Sequence, residues 1–247
     1  MAAVPAPEQT AAVLMAEIDA LGDPADAAFL QRFFKTGPGQ YGEGDVFAGV
    51  RVPATRAVVR RFTGMPPTEV ALALDSPVHE HRLAALLVMV RQFAAADAPG
   101  RRALHEAYLT AVRAGRVNNW DLVDSSAEFL VGEYLLDGPG GDDPLLDALA
   151  ASPALWERRV AVLATFAFIK AGDPAPTLRL AARLLTDRED LMHKAVGWML
   201  REVGKRVDRA PLLAFLDAHA ARMPRTTLSY ATEHLAPADR ARYRALR

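Results

Sequence analysis

The chain of 247 residues contains no cysteine. That absence removes disulfides, thiolate metal sites and thiol nucleophiles together, and it fits a reducing compartment. No apolar run approaches the ~20 residues that span a membrane. The opening stretch, MAAVPAPEQTAAVLMAEIDALGD, carries acids where a secretory leader has a basic start. The expectation is a cytoplasmic protein without a membrane partner. A strong excess of one charge is also missing, since the formal net charge is −1. That balance argues against a generic polyanion binder. What is present is a globular composition, 51% hydrophobic and 24% charged, long enough for a large core.

The charge is unevenly spread. Residues 1–50 hold two Lys or Arg and seven Asp or Glu, whereas residues 201–247 hold ten and five. A basic C-terminal region reads either as a solvated helical face with a basic tail or as a surface for phosphate.

Nearly every segment has helical periodicity. LHEAYLTAVRA, LWERRVAVLATFAFIK and TLRLAARLL place apolar residues three and four apart. Pro and Gly fall between these segments, at GMPP, DAPG, DGPGGDDP, ASP, AGDPAP, DRAP and RMP. Several are Ser or Asp followed by Pro, suited to helix N-termini. The segments also repeat. SPVHEHRLAALLVMVRQF (76–93), VNNWDLVDSSAEFLVGEYL (117–135), SPALWERRVAVLATFAFIK (152–170), REDLMHKAVGWMLREVGK (188–205) and MPRTTLSYATEHL (223–235) start about 35–41 residues apart. Each follows a shorter predicted helix. This is the period of HEAT or armadillo helix pairs. The fold class expected is all-α, a curved solenoid of HEAT-like helix-pair repeats. We read residues 1–247 as a single domain, with N-terminal helices over 1–35, a loop over 36–53 and repeats from about 54 to 247. Stacked pairs would line up their second helices on one concave surface.

Familiar catalytic motifs fail on context. Gly37, Gly39 and Gly42 match G-x-G-x-x-G in form, but a helical Phe33–Phe34 segment precedes them and more glycines follow, so a loop is expected. His79 and His81 are two apart, on different helix faces, and no HExxH or carboxylate–histidine cluster accompanies them. Neither a GxSxG elbow nor a P-loop is present. No cofactor and no metal are expected.

One constellation remains. Trp120 and Asp124 are four apart and share a helix face. Arg159 lies one repeat later and Trp198 one repeat after that. On a concave surface built from second helices, all four can converge. Each also has a structural reading: tryptophan as core, Asp124 paired with Arg158 or Arg159, Asp121 capping a turn. Together the residue types suit a ligand with a phosphate backbone and a reaction that develops positive charge. Tryptophan faces attract cations and stack on bases. Arginine grips phosphate with a planar fork. One carboxylate can stabilise an oxocarbenium-like sugar and position water.

The stretches FFKTGPGQYGEGDVFAGVRVP, NNWDLVDSSA, WERRVAVL and HKAVGWMLREVGK, distributed over roughly residues 30–205, resemble the DNA alkylation repair enzyme family, the AlkD-like DNA glycosylases built from HEAT-like repeats. The resemblance implies a solenoid that holds double-stranded DNA and excises cationic N3- and N7-alkylpurines without a metal and without base flipping. The chain is expected to act as a monomer. The family's W-D-x-x-D pattern falls on Trp120, Asp121 and Asp124, which makes Asp124 the catalytic carboxylate. Trp120 and Trp198 would flank the lesion nucleotide, and Arg159 would contact the DNA backbone. Where well-known active members carry a second tryptophan, this chain has Asn119, and GEGDVFAGVRVP resembles a second branch of the family. The alternatives are therefore a non-catalytic repeat protein that binds damaged or branched DNA, or a protein–protein scaffold.

Overall fold

The computed structural model describes residues 8–138, 140 and 144–246. Part of the expected turn at DGPGGDDP lies outside the described residues. Among the described residues the fold is all-α, and the one β contact is an isolated parallel bridge between Val46 and Val78. The chain divides into two compact units, Met1–Ser126 and Ala127–Arg247.

The first unit contains α1 (Ala11–Asp19), α2 (Pro24–Gln31), α3 (Val52–Val59), α4 (Pro67–Leu74), α5 (His79–Ala95), α6 (Ala98–Arg113) and α7 (Trp120–Asp124). Helix starts are set locally. Asp23 accepts from the N–H groups of Ala25 and Asp26, with Pro24 in the first turn, and Asp97 accepts from Gly100. The Ser-Pro pairs sit one step further out: Ser76 Oγ accepts from Val78 N–H and Ser152 Oγ from Ala154 N–H, just before the helices begin. Helix α5 is the axis of this unit. It is apolar nearly all round, and α1, α3, α4, α6 and α7 pack against it. Its side chains from His79 to Met89 are buried.

Burial of α5 includes its polar first turns, so every charge there needs a partner. Glu80 accepts from the backbone N–H groups of Ala48, Gly49 and Val50 at 2.9, 2.9 and 3.2 Å. His81 lies 2.8 Å from both Ser76 Oγ and Asp19 Oδ1. His79 N–H donates to Val46 O at 2.7 Å, and Val46 N–H to Pro77 O. The expected loop after α2 is thus fastened along the start of α5. The glycines 37, 39 and 42 form turns in it, as their context suggests.

Gly49 closes this loop with φ +84°, and a Cβ there would lie 2.1 Å from Asp23 O. Both the backbone conformation and the space demand glycine. Gly49→Ala should cost roughly 1–3 kcal/mol, read as a lower urea midpoint; an unchanged midpoint would contradict the tight approach.

The second unit contains a π-helical stretch (Glu128–Glu133), α8 (Tyr134–Asp137), α9 (Pro144–Ala150), α10 (Leu155–Lys170), α11 (Ala175–Arg183), α12 (Asp190–Arg206), α13 (Arg209–His219), a 3₁₀ turn (Ala220–Arg222), α14 (Arg225–Ala231) and α15 (Pro237–Ala245). Here α9/α10, α11/α12 and α13/α14 form successive pairs. Helix α10 packs on α12, and α12 on α14. The second helices begin at 120, 155, 190 and 225, a regular 35-residue step.

Two expectations need correction. The segment 117–135 is not one helix. Helix α7 stops after five residues, and the chain resumes as a π-helical stretch. The break coincides with Ser126, whose Oγ lies 2.6 Å from Leu122 O and 2.9 Å from Tyr108 OH on α6, so its hydroxyl competes for the helix's own acceptor. The first helix is also not always the shorter partner: α6 has 16 residues against five in α7, and α13 has 11 against seven in α14.

Candidate active site

Helix α7 is too short to be stable by propensity. It is held by its caps and by what it buries. Asn119, fully buried, accepts from Trp120 N–H at 3.0 Å, and Asp121 Oδ1 accepts from Leu122 N–H at 2.9 Å. Leu122 and Val123 are fully buried, which turns Trp120, Asp121 and Asp124 to the half-buried side. The expected sharing of a face by Trp120 and Asp124 is what α7 shows, and Val123 turns inward.

Behind Trp120 lies an aromatic stack. Its ring lies on Phe34 with centroids 5.1 Å apart and planes 14° from parallel. Phe34 lies 4.9 Å from Phe47 and 5.0 Å from the imidazole of His79, and Phe47 stacks on His79 at 4.8 Å. The loop after α2 supplies both phenylalanines.

Beneath the stack is a buried polar network. Asp45 accepts from Arg82 Nη2 at 2.6 Å, Asn118 Nδ2 at 3.1 Å and Asn119 Nδ2 at 3.1 Å, and its Oδ2 lies 3.4 Å from His79 Nδ1. His79 Nε2 is 2.7 Å from Asp121 Oδ2. Asp121 is therefore paired within this network. Burial works to raise the Asp45 pKa, but His79, Arg82 and the two asparagines outweigh it and bring it to about 2. Burial works to lower that of His79, but Asp121 and Asp45 outweigh it and Arg82, and raise it to about 9.

These opposite displacements define a pH window. Asp45 has its pKa depressed, so its contribution is present above its ordinary 3.8 and is lost as pH falls through about 2. His79 has its pKa raised, so its contribution is full below its ordinary 6.5 and is lost as pH rises through about 9. The stability difference between wild type and His79→Gln should hold steady from about pH 4 to 6.5 and shrink toward pH 9. Urea denaturation at several pH values measures it; a difference that grows with pH would refute this assignment.

Asp124 ends α7 and acts on Tyr108. The buried Tyr108 phenol has its pKa raised chiefly by burial, with the Ser126 hydrogen bond working against the rise and the Asp124 charge adding to it.

The other two expected site residues belong to the second unit. Arg159, on α10, is buried and donates from Nη1 to Leu191 O at 2.6 Å. Its neighbour Arg158 pairs with Asp187 at 2.7 Å and donates to Ser152 O and Pro153 O, a structural clamp. Trp198, on α12, is half-buried, 6.2 Å from the Phe166 ring, and its indole N–H donates to the buried Glu202 at 3.3 Å. Lys170 and Arg206 lie over Phe166, at 4.8 and 5.1 Å.

Sequence reasoning set His79 aside as a poor metal partner and did not single out Asp45, Phe34 or Phe47. One signal was available: four consecutive polar residues, HEHR, at the head of an otherwise apolar helix. Their partners are remote in sequence, however, since Asp45 meets Asn118 and Asn119 across 73 and 74 positions.

Helix pairs at a 35-residue step, with a Trp-Asp-x-x-Asp turn presented on one side, define a helical-repeat protein. The family model of the DNA alkylation repair enzymes matches residues 14–235, and the chain belongs to that family. Among solved structures, the chain is similar to a predicted DNA alkylation repair enzyme from Enterococcus faecalis. The two share 16% identity with a TM-score of 0.65, over 87% of this chain and 97% of that one. At that identity the likeness shows the fold. No curated protein matches the chain significantly.

Proposed function

We propose that this chain is a DNA glycosylase that hydrolyses the N-glycosidic bond of cationic N3- and N7-alkylpurines in duplex DNA, with Asp124 as the catalytic carboxylate. The observation that carries the reading is the side of α7 left half-buried: Trp120 and Asp124 share it, and Trp120 is braced flat against Phe34. The reading of chemistry without base flipping follows the family resemblance.

The chemistry asks little of the protein. An N7- or N3-alkylpurine already carries positive charge. When its bond to C1′ breaks, the bonding pair neutralises the ring, and the purine leaves without a general acid. The sugar left behind resembles an oxocarbenium ion. A carboxylate stabilises that charge and positions water, whose oxygen bonds to C1′ while its proton passes to the carboxylate or to solvent. One acid suffices here, whereas an ordinary glycoside hydrolase uses two. The products are the free base and an abasic site. Trp120 supplies an aromatic face for the cationic nucleotide, and we assign the same role to Trp198.

For Arg159 we propose backbone contact. Arg159→Ala should reduce the salt slope of DNA binding by about 1 and, because Leu191 O loses a donor, should also cost roughly 1–3 kcal/mol of stability. A stability loss with an unchanged salt slope would assign the guanidinium a structural role and remove the DNA contact.

The binding-only reading is favoured by one observation, the buried Asn119 where active relatives are expected to carry a second tryptophan. Incubation with duplex DNA containing 7-methylguanine separates the two. Free base in the soluble fraction supports the glycosylase. Salt-sensitive binding without release supports the binding module, and no binding at low salt removes both.

A further inference from the structure

Asp121 lies between Trp120 and Asp124 in sequence, yet the excision chemistry does not use it. Its carboxylate turns instead to His79 Nε2, at 2.7 Å. The other ring nitrogen of His79 faces Asp45, at 3.4 Å. A histidine with a carboxylate at each nitrogen can donate to both only as the imidazolium. The charge balance agrees. The charged groups around the ring are Asp45 from the loop, Arg82 from its own helix and Asp121 from α7. With His79 protonated, two cations meet two anions; with His79 neutral, the buried group carries an uncompensated negative charge.

His79 also reaches Trp120 by a second route. Its ring lies against Phe34 and Phe47, and Phe34 lies against Trp120. The five-residue α7 thus has one ionic and one aromatic tie to the same imidazole.

We infer that His79, as an imidazolium clamped between Asp45 and Asp121, is a positioning residue that fixes α7 and thereby sets Trp120 and Asp124 for reaction. This rests on the reading that α7 carries the active site. Above the range in which the ring stays protonated, the tie to Asp121 weakens and α7 loosens. The device makes the site sensitive to alkali through a buried group.

The test uses the full chain labelled with ¹⁵N in histidine and tryptophan, with the Trp120 indole resonance assigned by Trp120→Phe. At pH 7.5 both ring nitrogens of His79 should be protonated. As pH rises, the Trp120 indole resonance should move with the same midpoint as the His79 ring. In His79→Gln that movement should vanish, and single-turnover release of 7-methylguanine should fall roughly 10- to 100-fold with DNA affinity within about twofold. A neutral His79 ring at pH 7.5, or a Trp120 resonance that ignores its titration, overturns the inference. Excision that falls only as far as the folded fraction falls also overturns it. The titration is read on the wild-type chain, with Trp120→Phe used only for assignment, and it does not need an active enzyme. Absence of excision in the wild type therefore counts against the glycosylase reading, while the spectra still decide the clamp.

Discussion

Asp124→Asn should lower single-turnover release of 7-methylguanine by on the order of 10²–10³-fold, the cost of deleting one preorganised electrostatic group at a developing charge. The amide keeps the shape of the side chain and loses only the negative charge. Asp124 is the last residue of α7, half-buried, and its charge adds to the rise of the buried Tyr108 pKa. Thermal unfolding of Asp124→Asn, read beside the rate, separates the two roles: a loss of rate in the folded protein far larger than any loss of stability is the signature of a residue kept for chemistry. A variant that unfolds early while its folded fraction stays fully active would mark Asp124 as structural.

Asp45→Ala should have the opposite signature. The carboxylate is buried and accepts from Arg82, Asn118 and Asn119, beside His79. Removing it leaves Arg82 and His79 with a single anion, Asp121, between them, and breaking a buried pair from one side costs roughly 3–5 kcal/mol. Asp45→Asn should cost less, because it retains one acceptor, but it leaves the charge unbalanced. Urea titration reads both. An Asp45→Ala midpoint within error of wild type would mean that the network is not closed around Asp45.

The contrast between these two acids shows what the sequence made legible. Trp120 and Asp124 could be placed on one face because a four-residue spacing in a helix is a local fact, and the inward turn of Val123 follows from the same geometry. The helix pairs were readable for the same reason, since each apolar stripe repeats every 3.6 residues whatever lies beyond it. The break after Asp124 was not readable. It depends on Ser126 meeting Tyr108 from another helix, and a serine in the middle of a periodic stretch is by itself compatible with helix. The pairing of Asp45 with Arg82, His79 and the asparagines was hidden for a related reason: it exists only once the loop after α2 docks on α5. A Gly-rich stretch announces a turn, but not the surface it is fastened to. The structure gives Arg158 a clamp on Asp187 and Arg159 a bond to Leu191 O, so both have structural partners.

The central claim is that a single carboxylate suffices because the leaving base is already cationic. It is tested most directly by single-turnover incubation of the wild-type chain with matched duplexes that carry either 7-methylguanine or the neutral lesion hypoxanthine, followed by chromatography of the released bases. The expected result is free 7-methylguanine with an abasic site left in the strand, and no hypoxanthine. Release of neither base, or equal release of both, would contradict it.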